Sequence, residues 1–249
     1  MAGKSRAGTK RLRLDELLVR RGLAPDLKQA AALILRGAVL VENQRIHQAG
    51  TQVKADAGLR VKETASRYVS RAGGKLAAAL GTFQVSARGR ICWDLGASTG
   101  GFTDCLLQEG AARVYAVDVG RGQLHWNLQK DERVIRRDGI NVRYLDPEKI
   151  GEKPDLITVD LSFISLRLVL PGLNRLSPVT VVALVKPQFE ARRSEVEAGG
   201  LITDDALRTR VIERLRDDLS ELGVEVLADT PSSVAGKKGN REHFFLCRV

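Results

Sequence analysis

Apolar positions recur along this 249-residue chain in two different rhythms, and the change of rhythm divides it. In the first part Leu14, Leu17 and Leu18 return at helical spacing and stop at Gly22, with Pro25 beyond, which predicts a short helix with a glycine stop. Asp26 stands where it can cap a second helix with an apolar face of Ala30, Leu33 and Ile34, closed by Gly37. Short β-prone pieces follow at Val39–Val41, at Arg45–His47 after an Asn43-Gln44 turn, and at Leu59–Val61. Two helices and a few short strands make a small α+β module, marginal alone because so small a body buries little surface. The small, basic residues 1–11 ahead of it are expected to be mobile.

From residue 91 the pattern becomes alternating apolar strands and helices. Strands are predicted at Ile91–Leu95, Arg113–Asp118, Arg133–Arg136, Asp155–Asp160, Val179–Lys186, Val224–Ala228 and His243–Arg248. Helices are predicted at Gly101–Glu109, Gln123–Gln129, Ser165–Leu176 and Thr203–Leu222. Alternation at these lengths implies an α/β, Rossmann-like, seven-stranded sheet, mostly parallel and covered on both faces. Only the polar stretch Asp229–Glu242 separates the last two strands, so they should be antiparallel. The expected domains are a basic tail and α+β module at 1–65, a linker and leading helix at 66–90, and the α/β domain at 91–249.

Charge changes the picture through its placement. The net charge is +10, and residues 1–36 carry nine Lys/Arg against three Asp/Glu. Residues 60–90 carry seven against one, whereas residues 91–249 carry 22 against 24. A basic front on a near-neutral body implies a polyanionic partner, because neutralising phosphates releases counterions. A merely solvated basic tail is the plain alternative. No apolar run approaches the ~20 residues of a membrane span, and the basic amino terminus is not followed by a signal-peptide core. A cytoplasmic protein without a membrane partner is the resulting expectation. Cys92, Cys105 and Cys247 are odd in number and widely spaced, and His47, His125 and His243 are scattered, so neither a disulfide framework nor a metal site is expected.

The segment Asp94-Leu95-Gly96-Ala97-Ser98-Thr99-Gly100-Gly101-Phe102 follows the first α/β strand and opens a helix. Glycines there permit a tight turn and close approach of a ligand to backbone. Asp118 ends the next strand, where a carboxylate can accept from a ribose diol. A nucleoside cofactor follows. Ser98 stands where a dinucleotide fingerprint has its second glycine, and the carboxylate of Asp94 suits a methionine ammonium better than a pyrophosphate. S-adenosylmethionine is therefore preferred over NAD, with an NAD-dependent oxidoreductase as the alternative.

Four ionisable residues fall at the carboxyl edge of the predicted sheet or lead into it. Asp160 ends one strand in Thr158-Val159-Asp160-Leu161-Ser162-Phe163, and Lys186 ends the next in Leu184-Val185-Lys186-Pro187-Gln188-Phe189-Glu190. Glu242 begins the last strand in Gly239-Asn240-Arg241-Glu242-His243-Phe244, and Lys75 lies on the leading helix in Ser70-Arg71-Ala72-Gly73-Gly74-Lys75-Leu76. Taken singly each has a plain reading, as a phosphate-binding cation, a turn cap, a solvated strand end and a surface ion-pair partner. Together they suggest a site in which Lys186 is the general base, its basicity adjusted by burial beside a second cation, Lys75. Arg192 and Arg193 before Glu195 and Glu197 suggest a mobile loop over a substrate, and Lys237, Lys238 and Arg241 suggest contacts to a nucleic-acid backbone.

These residues also carry a resemblance. Leu14-Asp15-Glu16-Leu17-Leu18, Gly22, Ala31, Ile34, Arg36-Gly37 and Val39-Leu40-Val41 resemble the RNA-binding module named after ribosomal protein S-four, although Val41-Glu42-Asn43-Gln44 replaces its usual Val-Asn-Gly turn. The order Lys75, Asp160, Lys186, Glu242 resembles the Lys-Asp-Lys-Glu tetrad of FtsJ-like ribose methyltransferases. With Tyr68-Val69-Ser70-Arg71, Gly96–Phe102, Asp160–Ser165, Lys186–Glu190 and Gly239–Phe245, nearly the whole chain resembles the TlyA family. One departure is Tyr68 in the linker Ser66-Arg67-Tyr68-Val69, where some members have Trp. The resemblance implies S-adenosylmethionine-dependent methylation of a cytidine 2′-hydroxyl in ribosomal RNA, free or within ribosomal subunits. Many members carry the older label hemolysin A, which makes membrane lysis a second alternative that no spanning or strongly amphipathic segment supports. It implies cofactor contacts from Asp94, Gly96, Ala97, Ser98, Gly100, Gly101, Phe102, Asp118, Asp138 and Asp160. RNA contacts are implied for Arg13, Arg20, Arg21, Lys28, Arg36, Arg67 and Arg71. Oligomeric state stays open.

Overall fold

The computed structural model describes residues 11–35, 37–61, 67–197, 199–234 and 239–249. The chain divides into two compact units, Met1–Ala65 and Ser66–Val249.

In the first unit β1 (Arg11–Arg13) leads directly into α1 (Leu14–Arg20), and α2 (Leu27–Leu35) follows. Asp26 caps α2, its Oδ1 accepting from the Gln29 amide at 2.7 Å. Strands β2 (Val39–Val41), β3 (Gln44–Arg45) and β5 (Leu59–Val61) form a three-stranded sheet, while β4 (Gln52–Lys54) pairs with β1. Leu14, Leu17, Leu18, Ala30, Ile34, Val39 and Val53 form the core. Strand β1 falls where the mobile tail is expected to end, because it finds a partner some 40 residues away in β4, which local pattern does not reveal. Strand β3 starts one residue earlier than expected because Glu42 and Asn43 both adopt positive φ, +48° and +67°. They form the two-residue turn that sets Val41 opposite Gln44.

The second unit begins with α3 (Arg71–Phe83) and continues β6 (Ile91–Leu95), α4 (Gly101–Gln108), β7 (Arg113–Asp118), α5 (Trp126–Gln129), β8 (Val134–Asp138), α6 (Pro147–Ile150) and β9 (Leu156–Val159). Then come β10 (Thr180–Val185), α7 (Pro187–Glu190), α8 (Asp205–Glu221), β11 (Glu225–Pro231) and β12 (His243–Arg248). The seven strands lie in the order β11-β12-β10-β9-β6-β7-β8. Strands β6 to β10 are mutually parallel, and β12 runs antiparallel between β10 and β11. One sheet face packs Trp93, Ile157, Val181 and Phe245 against Leu170, Leu173 and Leu215. The other packs Cys92, Val114, Leu184 and Phe244 against Leu76, Leu80, Phe102 and Leu106 of α3 and α4.

Two predicted helices are corrected. Residues 166–168 and 170–176 wind as 3-10 turns. Their buried residues Leu170, Leu173 and Leu176 repeat every three positions, the period of a 3-10 turn, and Pro171 lacks the amide an α-helix needs. Residues 119–125 do not extend α5, whose amino end is set by the His125 side chain accepting from Asn127 N.

Candidate active site

The first βα connection is built by backbone geometry only certain residues tolerate. Gly96 and Gly100 sit at φ +90° and +92°, with Ser98 at +48° between them. A Cβ on Gly96 would lie 2.4 Å from the carbonyl oxygen of Asp160, so the loop and the end of β9 approach as only glycine permits. A Cβ on Gly73 would lie 2.7 Å from the Gly101 carbonyl oxygen, and its absence lets α3 settle onto the start of α4. That contact carries Lys75 to the mouth of the sheet.

Asp160 follows β9, Lys186 follows β10 and Glu242 precedes β12. The register pairs Val185 with His243, which sets Lys186 beside Glu242. All four predicted residues, Lys75, Asp160, Lys186 and Glu242, line one cavity of about 530 Å³ with Arg71, Gly96, Ala97, Ser98, Gly101 and Phe102. Lys186 Nζ lies 2.7 Å from Asp160 Oδ1 and donates to Ser162 Oγ at 2.9 Å. Lys75 Nζ donates to Glu242 Oε2, both side chains being almost wholly buried. Asp160 and Glu242 each stand against one of the two lysines, the partners the sequence reading assigned to orient them. Each is matched by its own carboxylate, so charge is balanced pairwise within the cavity.

The remaining cofactor candidates separate into three environments. Asp118 and Asp138 line a small recess on the other side of the loop with Ala97, Ser98, Gly120, Gln123 and Arg136. There Asp118 accepts from Ser98 N at 2.8 Å and Gly120 N at 2.7 Å, which leaves each carboxylate oxygen a lone pair for a hydroxyl donor. Asp138 accepts from Gly122 N at 3.1 Å. Gly100 lies away from both, its missing Cβ making room for Leu124 and Leu128.

Asp94 departs most from expectation. It is fully buried and does not line the cavity. Thr103 Oγ1 donates to its Oδ2 at 2.6 Å and Thr158 Oγ1 to its Oδ1 at 3.0 Å. Burial pushes its carboxyl up to about 7 against the two threonine bonds. Through these bonds it ties β6, α4 and β9 together beneath the loop.

Three further residues shape the cavity without having been singled out. Ser162 and Asn240 line it, while Glu190 lies behind the lining residues Gln188 and Phe189. Glu190 is buried, which raises its pKa, and it accepts from Ser165 Oγ and from Leu166 N at 2.9 Å. Asn240, also buried, accepts from Ile202 N at 3.1 Å and donates to Gly200 O at 2.8 Å. Together with the Arg214–Glu195 pair at 2.8 Å, it braces the segment that the sequence suggested was mobile. Their place within Asp160–Ser165, Lys186–Glu190 and Gly239–Phe245 was the sequence signal for these residues. Lys237 and Lys238 lie outside the described residues, and Arg241 pairs with Asp205 at 3.2 Å.

The RNA candidates are dispersed. Arg20 and Lys28 are exposed on the first unit, and Arg36 lies outside the described residues. Arg13 pairs with Asp15 at 2.7 Å. Arg21 donates to the carbonyls of Ala57 and Ala55 at 2.7 and 2.6 Å, so it clamps the module's own backbone. In the second unit Arg67 donates to Gln108 Oε1 at 3.0 Å and lies over the Tyr68 ring, while Arg71 is exposed at the cavity edge. All three cysteines are free and buried, and burial pushes their thiols up to about 12. Among the described residues no helix is long and apolar enough to cross a membrane, and no cluster of His, Cys, Asp or Glu is placed to hold a metal ion.

Comparison with known proteins agrees with both units. Residues 68–249 match the FtsJ-like methyltransferase family and residues 12–59 match the S4 domain. The chain is 43% identical over 243 residues to the 16S/23S rRNA (cytidine-2′-O)-methyltransferase TlyA of Mycobacterium tuberculosis, covering 96% of this chain and 91% of that one. It is 38% identical over 237 residues to Hemolysin A of Brachyspira hyodysenteriae, covering 93% and 98%. A solved structure of a candidate hemolysin from Streptococcus thermophilus superposes with a TM-score of 0.74 at 37% identity, covering 97% of this chain and 89% of that one.

Proposed function

Since the chain belongs to the TlyA family, an S-four-type domain followed by an FtsJ-like methyltransferase domain, we propose that it transfers a methyl group from S-adenosylmethionine to a cytidine ribose 2′-hydroxyl in ribosomal RNA. The observation that carries this reading is the meeting of Lys75, Asp160, Lys186 and Glu242 at one cavity beside a glycine-built loop.

The residues present fit the cofactor. Asp118, with lone pairs to spare beside Ser98 and Asp138, suits the ribose and base of an adenosine. Gly96, Ala97 and Gly101 bring backbone to the cavity edge, where the methionine portion would lie next to Asp160. When bound, the group supplies an electrophilic methyl on a sulfonium. What remains for the protein is to orient the hydroxyl in line and to take its proton.

Lys186 serves as the proton acceptor. Its amine is held at the cavity wall by Asp160 and Ser162 and faces the space where a ribose would enter. The buried Lys75–Glu242 pair lines the same cavity and holds the wall beside Lys186 in place. Much of the acceleration comes from placement, since well-oriented groups react as though at very high concentration. Arg20 and Lys28 supply exposed positive charge for RNA capture on the first unit.

The test uses labelled cofactor with naked rRNA and with each ribosomal subunit, followed by mapping of 2′-O-methyl positions. Lys186→Ala should lose a factor of about 10² or more in transfer, the usual contribution of a general base, while affinity for S-adenosylhomocysteine survives. Normal transfer by that variant would remove Lys186 from the role.

A further inference from the structure

The proton-accepting amine is set by more than its carboxylate partner. Lys186 Nζ has two neighbours on one turn, Asp160 Oδ1 at 2.7 Å and Ser162 Oγ at 2.9 Å. A neutral lysine amine is tetrahedral, with Cε, two hydrogens and one lone pair. Only the Ser162 contact is a directional hydrogen bond, since Asp160 Oδ1 accepts none among the described residues and attracts the amine by charge alone, so Ser162 fixes how the amine is turned at the wall of the cavity that both residues line. Without Ser162 the amine would keep its attraction to Asp160 but would be free to rotate about its Cε bond and turn the lone pair away.

The turn carrying Ser162 is not relaxed by itself. Phe163 holds φ +65°, a left-handed conformation that costs a non-glycine residue energy unless its surroundings enforce it. Those surroundings are visible on both sides. Upstream, the Asp160 backbone is pinned by its amide bond to Leu95 O at 3.0 Å and by the close approach of Gly96. Downstream, buried Glu190 grips Ser165 Oγ and Leu166 N. Glu190 has no ion-pair partner within contact distance among the described residues, and its two hydrogen bonds both go to this turn. It lies four residues after Lys186, so the base and the clamp on its support come from one short segment.

We propose that Ser162 is a positioning residue for the Lys186 amine, and that Glu190 acts through the 160–166 turn to keep it in place. This rests on Lys186 being the base. In the step it serves, the ribose O–H bond breaks and its proton joins the Lys186 lone pair. The freed oxygen pair bonds the methyl carbon, and the carbon–sulfur pair remains on the departing thioether sulfur.

The experiment uses the full chain with S-adenosylmethionine and the rRNA substrate identified above. Loss of one hydrogen bond that orients the base should lower kcat about tenfold in Ser162→Ala. KM for both substrates and calorimetric affinity for S-adenosylhomocysteine should stay within about twofold of wild type, because Ser162 acts on the amine and not on binding. Ser162→Thr keeps the hydroxyl and should recover most of the rate. Glu190→Gln removes one of two acceptor oxygens and should cost a similar factor. Combined with Ser162→Ala it should add almost nothing, because both act through one contact. Wild-type kcat in Ser162→Ala, failure of threonine to rescue, or full multiplication of the two losses would each overturn the proposal. Ser162 is exposed, so its variants remain informative even if Glu190→Gln fails to fold. A wild-type chain that transfers no methyl to ribose would instead sink the reading of Lys186 on which the proposal rests.

Discussion

Removing Glu242 should destabilise the second unit far more than removing Glu242 and Lys75 together. Their side chains are 5% and 10% exposed, so both charges have left bulk water. An exposed ion pair contributes at most about 1 kcal/mol, whereas truncating one partner of a buried pair costs about 3–5 kcal/mol because the other charge is stranded. The pair lines a cavity that water can enter, which places Glu242→Ala near the low end, at about 3 kcal/mol. The double replacement of Lys75 by Met and Glu242 by Leu strands nothing and should cost about 1 kcal/mol or less. Urea unfolding followed by tryptophan fluorescence reads this directly, since Trp93 and Trp126 both lie in the Ser66–Val249 unit. With a denaturant slope of about 2–3 kcal/mol per molar, Glu242→Ala should lower the midpoint by about 1–1.5 M. A single variant within about 0.3 M of wild type, or a double variant as unstable as the single, would refute the reasoning.

Asp94 makes stability depend on pH. Its folded pKa of about 7 lies above the ordinary 3.8, so its contribution is complete below about pH 4 and is lost as pH rises through 7. Asp94→Asn should remove this decline, on the order of 1 kcal/mol per pH unit within that window, in denaturation curves taken from pH 5 to 7.5. Parallel pH dependence in variant and wild type would count against it. Gly96→Ala must place a methyl 2.4 Å from the Asp160 carbonyl at φ +90°, so calorimetry should show cofactor affinity reduced by about tenfold or more. Unchanged affinity would mean the loop can shift freely. Charge reversal separates the two neighbouring arginines at the end of α1, Arg20 within it and Arg21 just after it. Arg20→Glu should weaken RNA binding and flatten its salt dependence without altering the fold. Arg21→Glu should also lower the melting temperature, because Arg21 holds the Ala55 and Ala57 carbonyls. Equal thermal stability of the two variants would show that the clamp contributes little.

Where side chains announce their own geometry, the chain can be read from its residues alone. The cap at Asp26, the stops at Gly22 and Gly37, the glycine loop after β6 and the strand alternation all rest on interactions within a few residues. So do the ends of β9 and β10, and with them the positions of Asp160 and Lys186. The antiparallel placement of β12 was also legible, since a polar connection without a helix cannot return a parallel strand to the sheet. That one inference brought Glu242 to the same edge.

What tertiary structure alone decided is which distant groups share an atom-to-atom contact. Nothing local in Asp94 distinguishes a carboxylate facing a ligand from one enclosed by Thr103 and Thr158, 9 and 64 residues away. Nothing local in Arg21 separates an RNA contact from a clamp on backbone 34 and 36 residues further along. The pairing of Lys75 with Glu242 spans 167 residues. Backbone conformation is governed by short-range sterics and hydrogen bonds that residue types encode. Burial and charge pairing depend on the assembled positions of remote segments, and only the folded chain supplies those.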